Sequence, residues 1–283
     1  MRFVQPLIVC AALLALGSAV DAKTRAECER DYKPQVGQAG KDVIWVPSPD
    51  KVVERMLRMA QTTPRDFVVD LGSGDGKIVI TAAQRFGARA MGVEFNPDMV
   101  ALSRENARKA GVADKVEIVQ GDFFKIDFSR ATVLTLYLLP DLNIKLRPKI
   151  LALRPGTRVV SHSFDMEEWE PDELSTLDGK RAYFWVVPAN VAGGWTLSLD
   201  GSTTSQVDVG FEQKYQKLRG YVQLGEVLAG LRDARLRGAG IRFAYVDAKG
   251  VRREFSGEVN GDRMEGTYRS DPGRQGHWRA VKR

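Results

Sequence analysis

The stretch Phe67-Val68-Val69-Asp70-Leu71-Gly72-Ser73-Gly74-Asp75-Gly76 constrains this chain more than any other. An apolar run that ends in an acid and passes at once into alternating glycines reads as a buried strand feeding a tight loop. The apolar residues Ile78, Val79, Ile80, Ala82 and Ala83 that follow read as the next helix. Glycine lacks a Cβ, so the backbone approaches a ligand closely, and the helix start presents free N–H groups at the same place. The pattern predicts a nucleotide-type pocket.

Spacing narrows the ligand. Lys77 stands where the dinucleotide pattern G-x-G-x-x-G requires its third glycine, which argues against NAD or FAD. A second strand, Ala88 to Val93, ends in Glu94, placed to accept the ribose hydroxyls as an acid does in doubly wound folds. A third, Val116 to Val119, leads to Gly121-Asp122, a position suited to an adenine amino group. Acids at three successive strand ends, without a phosphate-binding lysine motif, suit a cofactor with ribose, adenine and an ammonium group but no phosphate. S-adenosylmethionine meets that description.

From these residues the chain resembles the class I, seven-strand methyltransferases, over about Val43 to Pro188. The resemblance implies an α/β, Rossmann-like doubly wound sheet, with Pro47, Asp70, Gly72, Ser73, Gly74, Glu94 and Asp122 as cofactor-binding residues. The segments Val46-Pro47-Ser48, Asp70 to Gly76 and Gly92-Val93-Glu94-Phe95-Asn96-Pro97 look closer to the protein-lysine methyltransferases, including those that modify the membrane-embedded c subunit of ATP synthase. That likeness implies a protein lysine as acceptor. The turn Tyr137-Leu138-Leu139-Pro140 lacks the Asn/Asp-Pro-Pro-Tyr/Phe of enzymes that methylate planar amines. Substrates sit outside the carboxyl ends of the strands in such folds, so Tyr137 is the candidate catalytic residue. Buried packing is the competing reading for Tyr137, and a structural hydrogen bond that for His162.

Other segments set boundaries. Met1 to Ala22 has a short basic start, an apolar run from Leu7 to Leu16 and small residues before a cleavage position, as a secretory signal does. Export is one expectation; an uncleaved anchor with the domain in the cytosol is the alternative, and membrane association through this segment goes with it. Residues 23–42 read as a linker, and 43–190 as the methyltransferase domain. Ser48 is expected to cap a helix carrying Val52, Val53, Met56 and Leu57. Asp165 to Asp178 reads as acidic and turn-rich. Beyond residue 191 the pattern changes to alternation, at Trp195-Leu197-Leu199, Ile241-Phe243-Tyr245 and Phe255-Gly257-Val259, which predicts a small C-terminal antiparallel β domain over 191–283. It is expected to lean on the larger domain through Trp185, Val187 or Trp195.

The formal net charge of +6 lies wholly in residues 201–283, with 16 Lys/Arg against 10 Asp/Glu. Without a block of like charge, this reads as a solvated face and not as a nucleic-acid footprint. Two cysteines and two histidines, far apart, supply neither a disulfide framework nor a metal cluster. No catalytic dyad is visible, which leaves a non-catalytic binding protein with a vestigial methyltransferase fold as the alternative function.

Overall fold

The structure, a computed structural model, describes residues 32–200 and 206–283, so the expected signal or anchor over residues 1–22 lies outside it. Val36–Arg283 form one compact unit. Its first half is a seven-stranded sheet in the order β3-β2-β1-β4-β5-β7-β6. β1 (Phe67–Leu71), β2 (Arg89–Glu94), β3 (Val116–Gln120), β4 (Val133–Leu136) and β5 (Arg158–His162) are mutually parallel. β7 (Lys180–Val186) runs antiparallel to β5, and β6 (Glu173–Leu177) pairs antiparallel with β7 at the edge. The central strands β1, β4 and β5 are buried almost throughout, as continuous apolar runs covered on both faces should be.

One face is covered by α1 (Asp50–Met59), α2 (Lys77–Phe86) and α3 (Pro97–Lys109), whose apolar stripes share a core with Val68, Val133 and Val160. The other carries α4 (Pro140–Leu151) and the segment Phe164–Asp172, with Met166 and Trp169 buried against Val159, Tyr183 and Trp185. Pro140 opens α4, where its missing N–H costs nothing. Asn96 caps α3 as its side chain accepts from the N–H groups of Asp98 and Met99.

Three expectations are corrected. Pro49, not Ser48, is the N-cap residue of α1, and it makes no side-chain cap. The Ser48 hydroxyl is instead committed to His162, described below. The segment read as a linker is ordered from residue 36: Gly37 and Trp45 exchange strand-like bonds with their neighbours across a turn, Gly37 N–H to Trp45 O and Trp45 N–H to Gln38 O, at 2.8 and 2.9 Å. The acidic segment before Asp178 contains β6, an edge strand without a buried side chain, which is why no apolar pattern announces it.

The second half is a nine-stranded antiparallel sheet formed by β8 (Gly193–Leu199), β9 (Gln206–Lys214), β10 (Lys217–Leu224), β11 (Val227–Gly230), β12 (Arg232–Arg237), β13 (Gly240–Val246), β14 (Arg252–Asn260), β15 (Arg263–Ser270) and β16 (Arg274–Lys282). The pairing of β9 with β10 closes it into a barrel. Alternate residues fill the interior: Phe243 stacks on Phe255 at 4.8 Å, and Trp278 meets both rings edge-on. A Cβ on Gly257 would lie 2.6 Å from the Trp278 ring, so glycine makes the room for that indole. The barrel meets the α/β half through Tyr215, stacked on Trp169 at 6.0 Å, and through Gly238, which a Cβ would drive into Gly156 and Val186. Trp195, expected at this junction, is instead buried in the barrel core, and Trp185 and Val187 belong to the α/β core.

Candidate functional site

The carboxyl ends of β1, β2 and β4 open onto a cavity of about 270 Å³. Its wall includes all seven expected cofactor-binding residues, Pro47, Asp70, Gly72, Ser73, Gly74, Glu94 and Asp122, together with Tyr137. The fold therefore brings the whole predicted set to one place. Gly74 lies at φ +55°, and a Cβ there would sit 2.6 Å from the Trp45 indole nitrogen, so the loop needs glycine for both its backbone and its neighbour.

The acids differ in what already holds them. Asp70 is buried and accepts from the Thr135 hydroxyl at 2.7 Å. Burial pushes its carboxyl up to about 7, against the pull of that hydrogen bond and with help from the charges of Asp75 and Glu94. Glu94 accepts from the N–H groups of Gly74, Phe95 and Asn96, all at 2.9 Å. A carboxylate offers about four acceptor positions, so this geometry leaves Glu94 room for one ribose hydroxyl and not for both. Asp122 is ion-paired with Lys41 at 2.8 Å and held below the usual carboxylate range by that bond. The ammonium of Lys41 also lies 5.3 Å from the Phe95 ring.

At the other end of the cavity the surface is aromatic. Tyr137 lies 4.0 Å from the His162 ring and stacks on Phe164 at 6.2 Å. His162 Nδ1 and Ser48 Oγ are hydrogen-bonded at 2.9 Å, while its Nε2 is buried without a partner among the described residues. Burial, reinforced by Lys180, lowers the His162 pKa to about 4, so the ring is neutral. His162 is thus the structural hydrogen-bonder its strand-end position suggested. Sequence reasoning missed Lys41, Phe95, Thr135 and the Ser48–His162 pair. Only the glycines just before Lys41, Gly37 and Gly40, hinted at a turn there.

The cavity fits S-adenosylmethionine on its own terms. A glycine loop of necessity without side chains, a buried acid at the first strand end and a carboxylate already ordered by backbone N–H groups form a cradle for a cationic nucleoside. Among the described residues no group of His, Cys, Asp and Glu is placed to hold a metal ion.

A protein-lysine N-methyltransferase from Saccharolobus islandicus is 48% identical over 134 residues, which is 47% of this chain and 83% of that protein. The ANTKMT methyltransferase domain family matches residues 70–173. The chain belongs to this family of S-adenosylmethionine-dependent methyltransferases. The mouse lysine N-methyltransferase of the ATP synthase c subunit is 37% identical over 132 residues, 46% of this chain and 53% of that protein, so the chain spans about half the mouse enzyme's length. Among solved structures, an RNA methyltransferase from Salinibacter ruber in complex with S-adenosyl-L-homocysteine is 54% identical with a TM-score of 0.51; the match takes in 52% of this chain and 96% of that one. Nothing in the fold or among these relatives favours the non-catalytic alternative.

Proposed function

We propose that this methyltransferase transfers its methyl group to a lysine of a protein. The carrying observation is the 48% identity to a protein-lysine methyltransferase across most of that protein. S-adenosylmethionine, when bound, supplies a methyl group made electrophilic by its sulfonium. Asp70, Gly72, Ser73, Gly74, Glu94 and Asp122 would hold the cofactor, Glu94 as an acceptor for a ribose hydroxyl and Asp70 as a carboxylate that favours its positive charge. Asp122 would accept from the adenine amino group only if its pairing with Lys41 were given up.

Pro47, Ser48, Tyr137, Leu139 and Phe164 of the cavity wall form the acceptor end in this reading. Aromatic walls accept the aliphatic stem of a lysine and attract its ammonium as it enters. Once inside, partial desolvation disfavours the charged form, so the amine loses its proton to water without a dedicated base. Tyr137 touches the acceptor here, and the Ser48–His162 pair holds the Tyr137 ring from behind. Alignment and water exclusion then carry the rate, as in-line transfer from an activated donor requires.

The name of the Salinibacter relative makes an RNA acceptor the competing reading. Transfer of tritiated methyl groups into a cell extract by purified protein decides between them. The expected label is protease-sensitive, appears as methyllysine on hydrolysis, and falls at least tenfold with Glu94→Ala, which removes a hydrogen bond to a charged group. Label that survives protease and is lost to ribonuclease would overturn the lysine assignment.

A further inference from the structure

On β10 the side chains of Leu218 and Val222 enter the barrel core, so Lys217, Arg219, Tyr221 and Gln223 point outward. Leu228 of β11 pairs with Gln223 and therefore shares that outer face. Lys217 pairs with Arg235, which pairs with Arg242, and Arg232 pairs with Ala244 two residues further along the same face of β13. One surface thus runs from an apolar hairpin tip to a cationic shaft. At the tip Tyr221 and Leu228 are 42 and 58% exposed on this face, and Val227, which pairs with Leu224, is 52% exposed on the opposite face of the hairpin end. On the shaft Arg219, Arg232, Arg235 and Arg242 are exposed, and none is ion-paired among the described residues. Two hollows of about 570 and 910 Å³ adjoin at Arg235. Register brings these cations onto one face, where Glu212 opposite Arg219, Asp208 opposite Gln223 and Glu254 opposite Ala244 offset part of their charge.

The arrangement selects its occupant. A protein partner requires an apolar centre within a polar rim, and here the apolar and cationic groups are segregated along the hairpin axis. A nucleic acid would engage the arginines but give Val227 and Leu228 no role. A bilayer surface has the same polarity as the hairpin, an apolar depth beneath a layer of phosphates, and accepts both ends at once. The apolar run Leu7 to Leu16 in the sequence supplies a second means of attachment, and stable association takes two such signals. We propose that the β10–β11 hairpin and the arginines beside it dock the barrel on a membrane rich in anionic lipid, with Tyr221, Val227 and Leu228 entering the interface. This inference is independent of the acceptor's identity.

Flotation of the full-length protein with vesicles tests it. Vesicles of phosphatidylcholine alone and vesicles containing phosphatidylglycerol bind the apolar N-terminal run alike, so the ratio of the two affinities reads the barrel face. Wild-type protein is expected to prefer the anionic vesicles. Each cation near such a surface contributes on the order of fivefold, so Arg219→Gln with Arg235→Gln and Arg242→Gln should lower that preference roughly a hundredfold. Val227→Ser with Leu228→Ser should weaken anionic binding while its salt dependence persists. An unchanged melting temperature marks both variants as folded, since damage to the barrel lowers it while the cofactor cavity draws on no barrel residue. Equal partition of the wild type between the two vesicles overturns the proposal. So does tight, arginine-dependent binding of a single-stranded oligonucleotide with vesicle binding indifferent to Val227 and Leu228, which would make the surface a nucleic-acid site.

Discussion

Asp70 is enclosed at the end of β1, and burial raises its pKa to about 7 from an ordinary 3.8. The folded protein therefore keeps a proton on it that the unfolded chain gives up. Its contribution to stability is complete below about pH 4 and is lost as pH rises through 7. A cationic ligand reverses the preference, because positive charge nearby favours the carboxylate. We expect the affinity for S-adenosylmethionine to rise by up to about tenfold between pH 6 and 8, with proton release on binding seen by titration calorimetry in two buffers. S-adenosylhomocysteine, which lacks the sulfonium charge, should show a weaker dependence, and Asp70→Asn should flatten both. A wild-type affinity that does not change with pH would refute this role. His162 has the opposite sign: with a pKa lowered to about 4, its contribution is present above about pH 6.5 and is lost as pH falls toward 4. His162→Gln should accordingly remove part of the fall in urea-unfolding free energy between pH 7 and 5, and an undiminished fall would count against it. The acids and glycines of this site were legible in the sequence because each marks a strand end by local chemistry. Lys41 and Thr135 were not, since their partners Asp122 and Asp70 lie 81 and 65 residues away.

Among the elements, the base of the sheet is clamped by Arg158 at the start of β5. Its guanidinium donates to the carbonyls of Ala60 and Gln61 behind α1 and is ion-paired with Asp66 ahead of β1. Burial alone would raise the Asp66 pKa, but donors from Thr132, Arg158 and Thr63 outweigh it and hold the carboxyl below its usual range. Arg158→Ala leaves that carboxylate enclosed without its cation. The expected loss is about 3 kcal/mol by urea unfolding at pH 7, the low end for removing one partner of a buried pair because Arg158 retains some exposure. Since Asp66 stabilises the fold above about pH 4 and ceases to do so as pH falls, the gap between variant and wild type should narrow on acidification. A loss below about 1 kcal/mol, the scale of an exposed pair, would show the clamp to be dispensable. The elements themselves were readable where apolar periodicity is strong, as in β1, β4, β5 and α2. β6 escaped because an edge strand of Glu173, Leu174, Ser175, Thr176 and Leu177 buries nothing.

At the scale of the whole molecule, two cores meet at one small junction whose partners are far apart in sequence. The alternating run of the barrel could be read from residues two apart, whereas the junction could not, because Tyr215 and Gly238 are part of no periodic pattern. The Salinibacter methyltransferase is matched over 96% of its length by 52% of this chain. In this chain the face bearing Trp169 is closed by the barrel: Tyr215 stacks on Trp169, the Arg147 guanidinium lies 5.5 Å from the Tyr215 ring, and the Gln216 amide donates to the Glu170 carbonyl at 2.7 Å. Ending the chain at residue 190 would bare that indole and the apolar surface around it. The truncated protein is expected to bind S-adenosylmethionine with the parent's affinity, because the cavity draws on nothing beyond Phe164, but to melt at lower temperature and to aggregate. Tyr215→Ala isolates the junction without deleting the barrel. It should cost about 2 kcal/mol, roughly half the range for a fully buried aromatic, and leave cofactor affinity intact. Tyr215→Phe should restore the stability, since the ring makes the contact and the hydroxyl has no hydrogen bond among the described residues. A truncated chain that melts with the parent, or a Tyr215→Ala variant as stable as wild type, would show that the barrel rides on the α/β half without supporting it.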